Sequence, residues 1–183
     1  MPDFPRWSYG LSLVHAAVQS WKTVPFTLHF VFVDYLDADK GPDPVLYQEC
    51  MMLFLVYTTL DSVAHWRTLG TSYQMHHALT AAGAVYNMCC GPHAIGLCVL
   101  SNEVSTIFLS AKGLLDKSHV MRPFVYQCFG WSFFFFRVLL NTLLVVSSVH
   151  VSFECAALMI SIWGMNMVWF AQGFLLKRSK TTA

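Results

Sequence analysis

Apolar residues run along this chain in blocks of membrane-crossing length, separated by short polar breaks. A helix needs about 20 mostly apolar residues to cross a bilayer. On that measure the blocks fall at 9–33, 45–66, 73–90, 93–112, 121–149 and 153–176. The clearest break, DYLDADKGPDP at 34–44, holds four Asp, two Pro and one Gly and reads as a solvated turn. Gly91-Pro92 predicts a tight hairpin between the third and fourth blocks, because proline disfavours helix in the residue before it. Pro123 falls in the first turn of the fifth block, where a missing N–H is harmless. The pattern predicts an all-α polytopic membrane protein of about six transmembrane helices, one domain over 1–183, with no soluble domain and no internal repeat.

Composition agrees with this reading. The chain is 56% hydrophobic and only 11% charged, against about 25% charged in soluble domains. A net charge of +1 offers no basic field for nucleic acid, which excludes that class of partner. The N-terminus lacks the three-part pattern of a cleaved secretory signal and the Arg/Ser-rich pattern of a transit peptide, so the first span is expected to act as the insertion signal. The six cysteines show no zinc spacing, and adjacent Cys89-Cys90 is not a C-x-x-C pair, so no disulfide framework is read. With both termini on one side, Arg6, Arg67, Lys112, Lys117, Arg122, Lys177, Arg178 and Lys180 fall on that side and only Lys40 falls opposite. Excess positive charge marks the cytoplasmic side, so both termini are expected in the cytoplasm or its equivalent.

Polar residues inside the spans carry the functional signal. An ionisable side chain at mid-membrane costs at least about 2.5 to 3.5 kcal/mol, so each needs a partner or a purpose. Sorting by helical rise gives an inner layer near one membrane face: His15, Asp61, His65, His76 and His77. Asp61 and His65 are spaced i, i+4 and share a helix face. His76 and His77 point about 100° apart, so at least one faces the bundle. A middle layer holds Gln19, Lys22, Asn102, Glu103, Arg137, Asn141 and Asn166. Ser12, His15, Gln19 and Lys22 form one stripe along the first span, and Lys22 and Glu49 read as snorkelling or interfacial. Glu103 and Arg137 lie at nearly equal depth on consecutive spans and are expected to pair, fixing helix register if nothing more.

These residues resemble the TLC-domain family, which includes ceramide synthases and the translocating-chain-associating membrane protein. The resemblance rests on Leu13-Val14-His15-Ala16, Asp61, Met75-His76-His77-Ala78, 101–106, Phe136-Arg137 and Asn166-Met167-Val168-Trp169. It covers nearly the whole chain and is nearest to the small proteins that consist of this domain alone. It implies a helical barrel around a lipid-sized cavity, in the endoplasmic reticulum or another endomembrane, and involvement in sphingolipid or phospholipid composition. The chain departs from the ceramide-synthase pattern after the histidine pair. Where those enzymes carry His-Asp and a further Asp, this sequence reads Asn102-Glu103 followed by Ser105 and Thr106.

Three functions follow as expectations. In the preferred one the chain binds or senses membrane lipid without catalysis, through a polar core of His15, His65, Asn102, Glu103, Ser105, Arg137 and Asn166. In the second it is a ceramide-synthase-like N-acyltransferase with His76 or His77 as base, oriented by Asp61, since acyl transfer to an amine needs a base near neutral pKa. In the third it is an accessory subunit of a larger membrane complex, with membrane-protein partners and the mitochondrial inner membrane as alternative location. No cofactor or metal is expected. Tyr73 stands three residues before His76, where a histidine-box iron enzyme would carry a ligand.

Overall fold

The computed structural model describes residues 5–37, 39–65 and 70–175. The basic residues Arg67, Lys177, Arg178 and Lys180, and the outer ends of the second and last blocks, lie outside the described residues. All described regular structure is helical. The elements are α1 (Arg6–Phe32), α2 (Pro44–His65), α3 (Thr71–Cys90), α4 (His93–Leu100), α5 (Glu103–Leu114), α6 (Arg122–Ser132), a π-helical segment Phe133–Leu140, α7 (Asn141–Val149), α8 (Phe153–Phe170) and a second π-helical segment Ala171–Leu175. Among the described residues three helical stretches are long and apolar enough to cross a membrane: His93–Leu114, Arg122–Val149 and Phe153–Gly173.

Local chemistry sets the boundaries. The Asp43 carboxylate accepts from the amides of Val45 and Leu46 at 2.9 Å each and opens α2, and the Ser152 hydroxyl accepts from the Cys155 amide at 3.1 Å and opens α8. After α1 the chain reverses through Tyr35 and Leu36 with φ of 51° and 63°. The Leu36 amide reaches back to the Phe30 carbonyl at 2.9 Å, which satisfies a helix-end acceptor. The Leu36 carbonyl in turn accepts from Ser147 at 3.1 Å and ties this turn to α7.

Two interruptions depart from uniform helices. The fourth block breaks at Ser101-Asn102, between α4 and α5, where Ser101 turns to bond Thr27 at 2.7 Å and Thr23 at 3.2 Å on α1. The fifth block widens to π-helix across the phenylalanine run and Arg137. Such segments recur at functional sites.

Packing places α1 against α2, α4 and α5; α2 against α3; α3 against α8; α8 against α7 and the first π segment; and α5 against α6. One apolar cluster centres on Phe30, Ile95, Cys98, Leu144 and Met159, and a second on Tyr47, Met51, Phe54, Leu97 and Leu100. Both lie toward the end bearing the 33–43 turn, and the polar residues gather at the other end. Along α1 the buried face is polar, carrying Ser8, His15, Gln19, Thr23 and Thr27. Its exposed face carries Trp7, Leu11, Val14, Val18, Trp21, Leu28 and Phe32. A helix in water shows the opposite arrangement.

Candidate functional site

The polar end encloses a chamber of about 550 Å³. Ligand pockets commonly fall between about 300 and 1,000 Å³. A narrower lobe of about 70 Å³ continues inward, walled by apolar side chains such as Ile95, Leu158, Met159 and Ile162. His76, Thr80, Glu103 and Arg137 line both spaces and mark the junction.

The chamber mouth is built by α1, α2 and α3. On α2, the i, i+4 spacing puts Asp61 and His65 side by side, with Asp61 Oδ1 at 3.8 Å from His65 Nε2. Across from them on α3, His77 brings Nε2 to 3.6 Å from Asp61 Oδ2. His65 Nε2 is also 2.8 Å from the Ser8 hydroxyl, and its ring stacks on Trp7. Behind His77, Nδ1 lies 2.8 Å from Ser62 Oγ, whose hydroxyl donates to the Thr58 carbonyl at 2.7 Å. His76 turns to the other side of α3 and meets the Trp169 ring of α8 with centroids 4.9 Å apart. Trp169 donates its indole N–H to Ser72 at 3.2 Å.

At the junction, the π segment presents Arg137. Its Nε donates to Ser105 Oγ at 2.6 Å and its Nη2 to Thr106 Oγ1 at 3.0 Å, and the guanidinium lies over the Phe133 ring. The direct Glu103–Arg137 ion pair expected from depth is therefore replaced by two hydroxyl bonds. No contact within 4 Å joins the two charges among the described residues. Thr106 stands between them, beside the Glu103 carboxylate. Both charges line the chamber.

Of the residues singled out from sequence, Asp61, His65, His76, His77, Glu103, Ser105 and Arg137 line the chamber, and Asn102 lines the inner lobe. Asn102 donates to Asn141 at 3.4 Å, a long bond. His15 and Asn166 stand apart. His15 is buried and stacks on Tyr57, centroids 3.9 Å apart, with neither ring nitrogen hydrogen-bonded among the described residues. Asn166 is 1% exposed, and its amide has no partner there either. Sequence reasoning passed over Ser8, Tyr57, Ser62 and Thr80. Tyr73, His76, His77 and Thr80 recur at i, i+3, i+4 and i+7, a face that could have been read directly. Ser62 offered no comparable signal, because a hydroxyl beside a helix backbone is common.

Chemically, the mouth combines a carboxylate, imidazoles and hydroxyls with room for a polar group, and the inner lobe adds a largely apolar wall beyond the polar residues at the junction. Among the described residues no group of three or more His, Cys, Asp or Glu side chains is arranged to hold a metal ion. The chain matches the family model for the TLC domain over residues 7–175. No curated protein and no solved structure matches it.

Proposed function

The chain belongs to the TLC-domain family, and we propose that it is a six-span membrane protein that holds the head of a membrane lipid in the polar chamber and the start of its acyl chain in the inner lobe. The observation that carries this reading is a pair of adjoining cavities that share His76, Thr80, Glu103 and Arg137: a wide one with Asp61, His65 and His77 in its wall, and a narrow one walled largely by apolar side chains. An amphiphile has the same two-part chemistry. The exposed apolar face of α1, backed by buried polar residues, supports counting this helix among the spans, since a contiguous exposed apolar surface calls for a nonaqueous neighbour. The packing sequence α1, α2, α3, α8, the first π segment, α6, α5 and back to α1 fits a barrel around that space. The positive residues Arg6, Lys112, Lys117 and Arg122 fit a cytoplasmic polar end. The family resemblance favours an endomembrane setting.

Gly83 supplies the test. It lines the inner lobe, and a Cβ built there meets only Ile162 Cδ1, at 3.8 Å. A Cβ is therefore tolerated at this position, and Gly83→Met extends a flexible apolar side chain from it toward the lobe. Lipid extracted from purified protein and quantified by mass spectrometry is expected near one molecule per chain in the parent. Gly83→Met and His77→Trp should each lower retention roughly tenfold, about 1.4 kcal/mol, with the melting temperature unchanged in Gly83→Met. Equal lipid content in parent and variants would refute the reading. N-acyl transfer remains the second reading because His77 and Asp61 do face each other across the mouth. Turnover of acyl-CoA and a long-chain base that His77→Ala abolishes would replace binding with catalysis.

A further inference from the structure

The hydrogen-bond chain behind His77 determines what its front can bind. A serine hydroxyl has a single proton. Ser62 spends that proton on the Thr58 carbonyl of its own helix, at 2.7 Å. Its 2.8 Å contact with His77 Nδ1 must then run the other way, with Nδ1–H donating and Ser62 Oγ accepting. Proton placement on a histidine follows from the partner of the other nitrogen. The neutral His77 ring thus carries its proton at Nδ1, facing away from the chamber, and presents a bare Nε2 lone pair to it.

Opposite that lone pair stands Asp61 Oδ2, which is also an acceptor, 3.6 Å away. At that distance the two are not hydrogen-bonded to each other. Among the described residues no side chain donates to the Asp61 carboxylate; its nearest basic neighbours are His77 and His65, at 3.6 and 3.8 Å. Two acceptors therefore converge at the mouth of a chamber with ample room.

We infer that Asp61 and His77 form a paired acceptor site for a lipid head that carries an O–H or N–H donor, and that Ser62 is the positioning residue that sets the His77 tautomer. The inference rests on the lipid-binding reading above and goes beyond it by choosing the head chemistry. A head offering only acceptors or methyl groups, such as an ether or a trimethylammonium group, leaves both acceptors unfilled. Neutral hydroxyl heads and protonated primary amines share the donor, and they differ in charge.

The full chain in nanodiscs separates these cases. Four probes of equal chain length are compared by competition binding: 1-dodecanol, dodecyl methyl ether, dodecylamine and dodecyltrimethylammonium. The alcohol is expected to bind at least about tenfold tighter than its ether, and the amine at least about tenfold tighter than its trimethylated form, a difference of about 1.4 kcal/mol. The larger of the two preferences identifies a hydroxyl or an ammonium source. Asp61→Asn and Ser62→Ala should each collapse the preference to less than about threefold. Nitrogen-15 NMR of the histidines, with His77 assigned by its loss in His77→Gln, should show the Nδ1–H tautomer in the parent and a tautomer mixture in Ser62→Ala. Equal binding of alcohol and ether, or a proton on Nε2 of neutral His77, overturns the inference and leaves lipid binding standing. Binding of none of the four probes refutes the chamber as a lipid site, and this inference with it.

Discussion

Replacing Arg137 with methionine removes the most heavily engaged charge at the chamber junction, and the loss can be worked from its contacts. The residue is 8% exposed and donates to Ser105 at 2.6 Å and Thr106 at 3.0 Å. Bonds to a charged group contribute about 1.5 to 3 kcal/mol each, against about 0.6 kcal/mol on average for a hydrogen bond between membrane helices. Removing one member of a buried charge pair costs about 3 to 5 kcal/mol, mostly because the other charge is stranded. Here the stranded partner is Glu103, which lines the chamber and keeps Thr106 beside its carboxylate, so the lower end applies, about 3 kcal/mol. At about 2 to 4 °C per kcal/mol for a chain of this size, the apparent melting temperature should fall by about 6 to 12 °C. Arg137→Lys keeps the charge and at most one of the two hydroxyl bonds, and should lose about half as much. Combining Arg137→Met with Glu103→Gln removes the stranded charge and should recover all but about 1 to 1.5 kcal/mol. Heating in one detergent followed by fluorescence-detected size exclusion measures all four proteins side by side. A single variant melting within about 2 °C of the parent, or a double variant no better than the single, would show that Arg137 is not neutralising Glu103.

Three further outcomes bear on packing. Gly113→Ala would drive a Cβ into the Tyr9 ring, so that ring or the α1–α5 contact must shift; overpacking of this kind costs about 1 to 3 kcal/mol, and an unchanged melting temperature would mean that the contact is looser than described. Ser101→Ala removes hydroxyl bonds to Thr27 and Thr23 and should lower stability by only about 0.6 to 1.7 kcal/mol, so a loss matching that of Arg137→Met would contradict the ranking. Asp116→Asn breaks an ion pair with Arg6 whose side chains are 67% and 70% exposed; the change should stay below about 1 kcal/mol, and a larger drop in melting temperature would assign this pair a structural role.

The helical rods and most of the chamber could be read from sequence because a membrane makes polar residues informative. Asp61, His65, His76, His77, Glu103 and Arg137 stood out against apolar neighbours, and all six line one space. Depth along a helix, at about 1.5 Å per residue, fixes height and says little about direction around the axis. Depth therefore sets Glu103 and Arg137 at one level and predicts a direct pair, whereas Ser105 and Thr106 take the guanidinium. For the same reason His15 and Asn166, at plausible depths, pack elsewhere. The π segment at Phe133–Leu140 and the break at Ser101-Asn102 have no marker in the hydropathy pattern. Neither contains proline or glycine, the residues that usually announce such departures. Ser62 was hidden for a related reason, since its importance lies in the direction of one proton.

The same residues explain why, among the described residues, three helical rods and not six are apolar enough by length and composition to cross a membrane. The chamber takes Tyr57, Thr58, Asp61 and His65 from α2 and Ser72, Tyr73, His76, His77 and Thr80 from α3. On α1, Gln19, Thr23 and Thr27 face inward, where Gln19 bonds the Cys50 carbonyl at 3.2 Å. Each inward polar group lowers the mean hydropathy of its helix without touching lipid, because exposed positions such as Leu11, Val14, Val18, Met52, Val56, Leu60 and Val63 remain apolar. If α1, α2 and α3 do cross the bilayer, as proposed, their low hydropathy is a consequence of building the site. Cysteine probes at Val14, Val56 and Met75, three exposed positions, decide the point. In that case spin labels there report lipid contact and are shielded from aqueous relaxation agents. Full access by such agents at all three would remove α1, α2 and α3 from the membrane and, with them, the walls of the proposed lipid chamber.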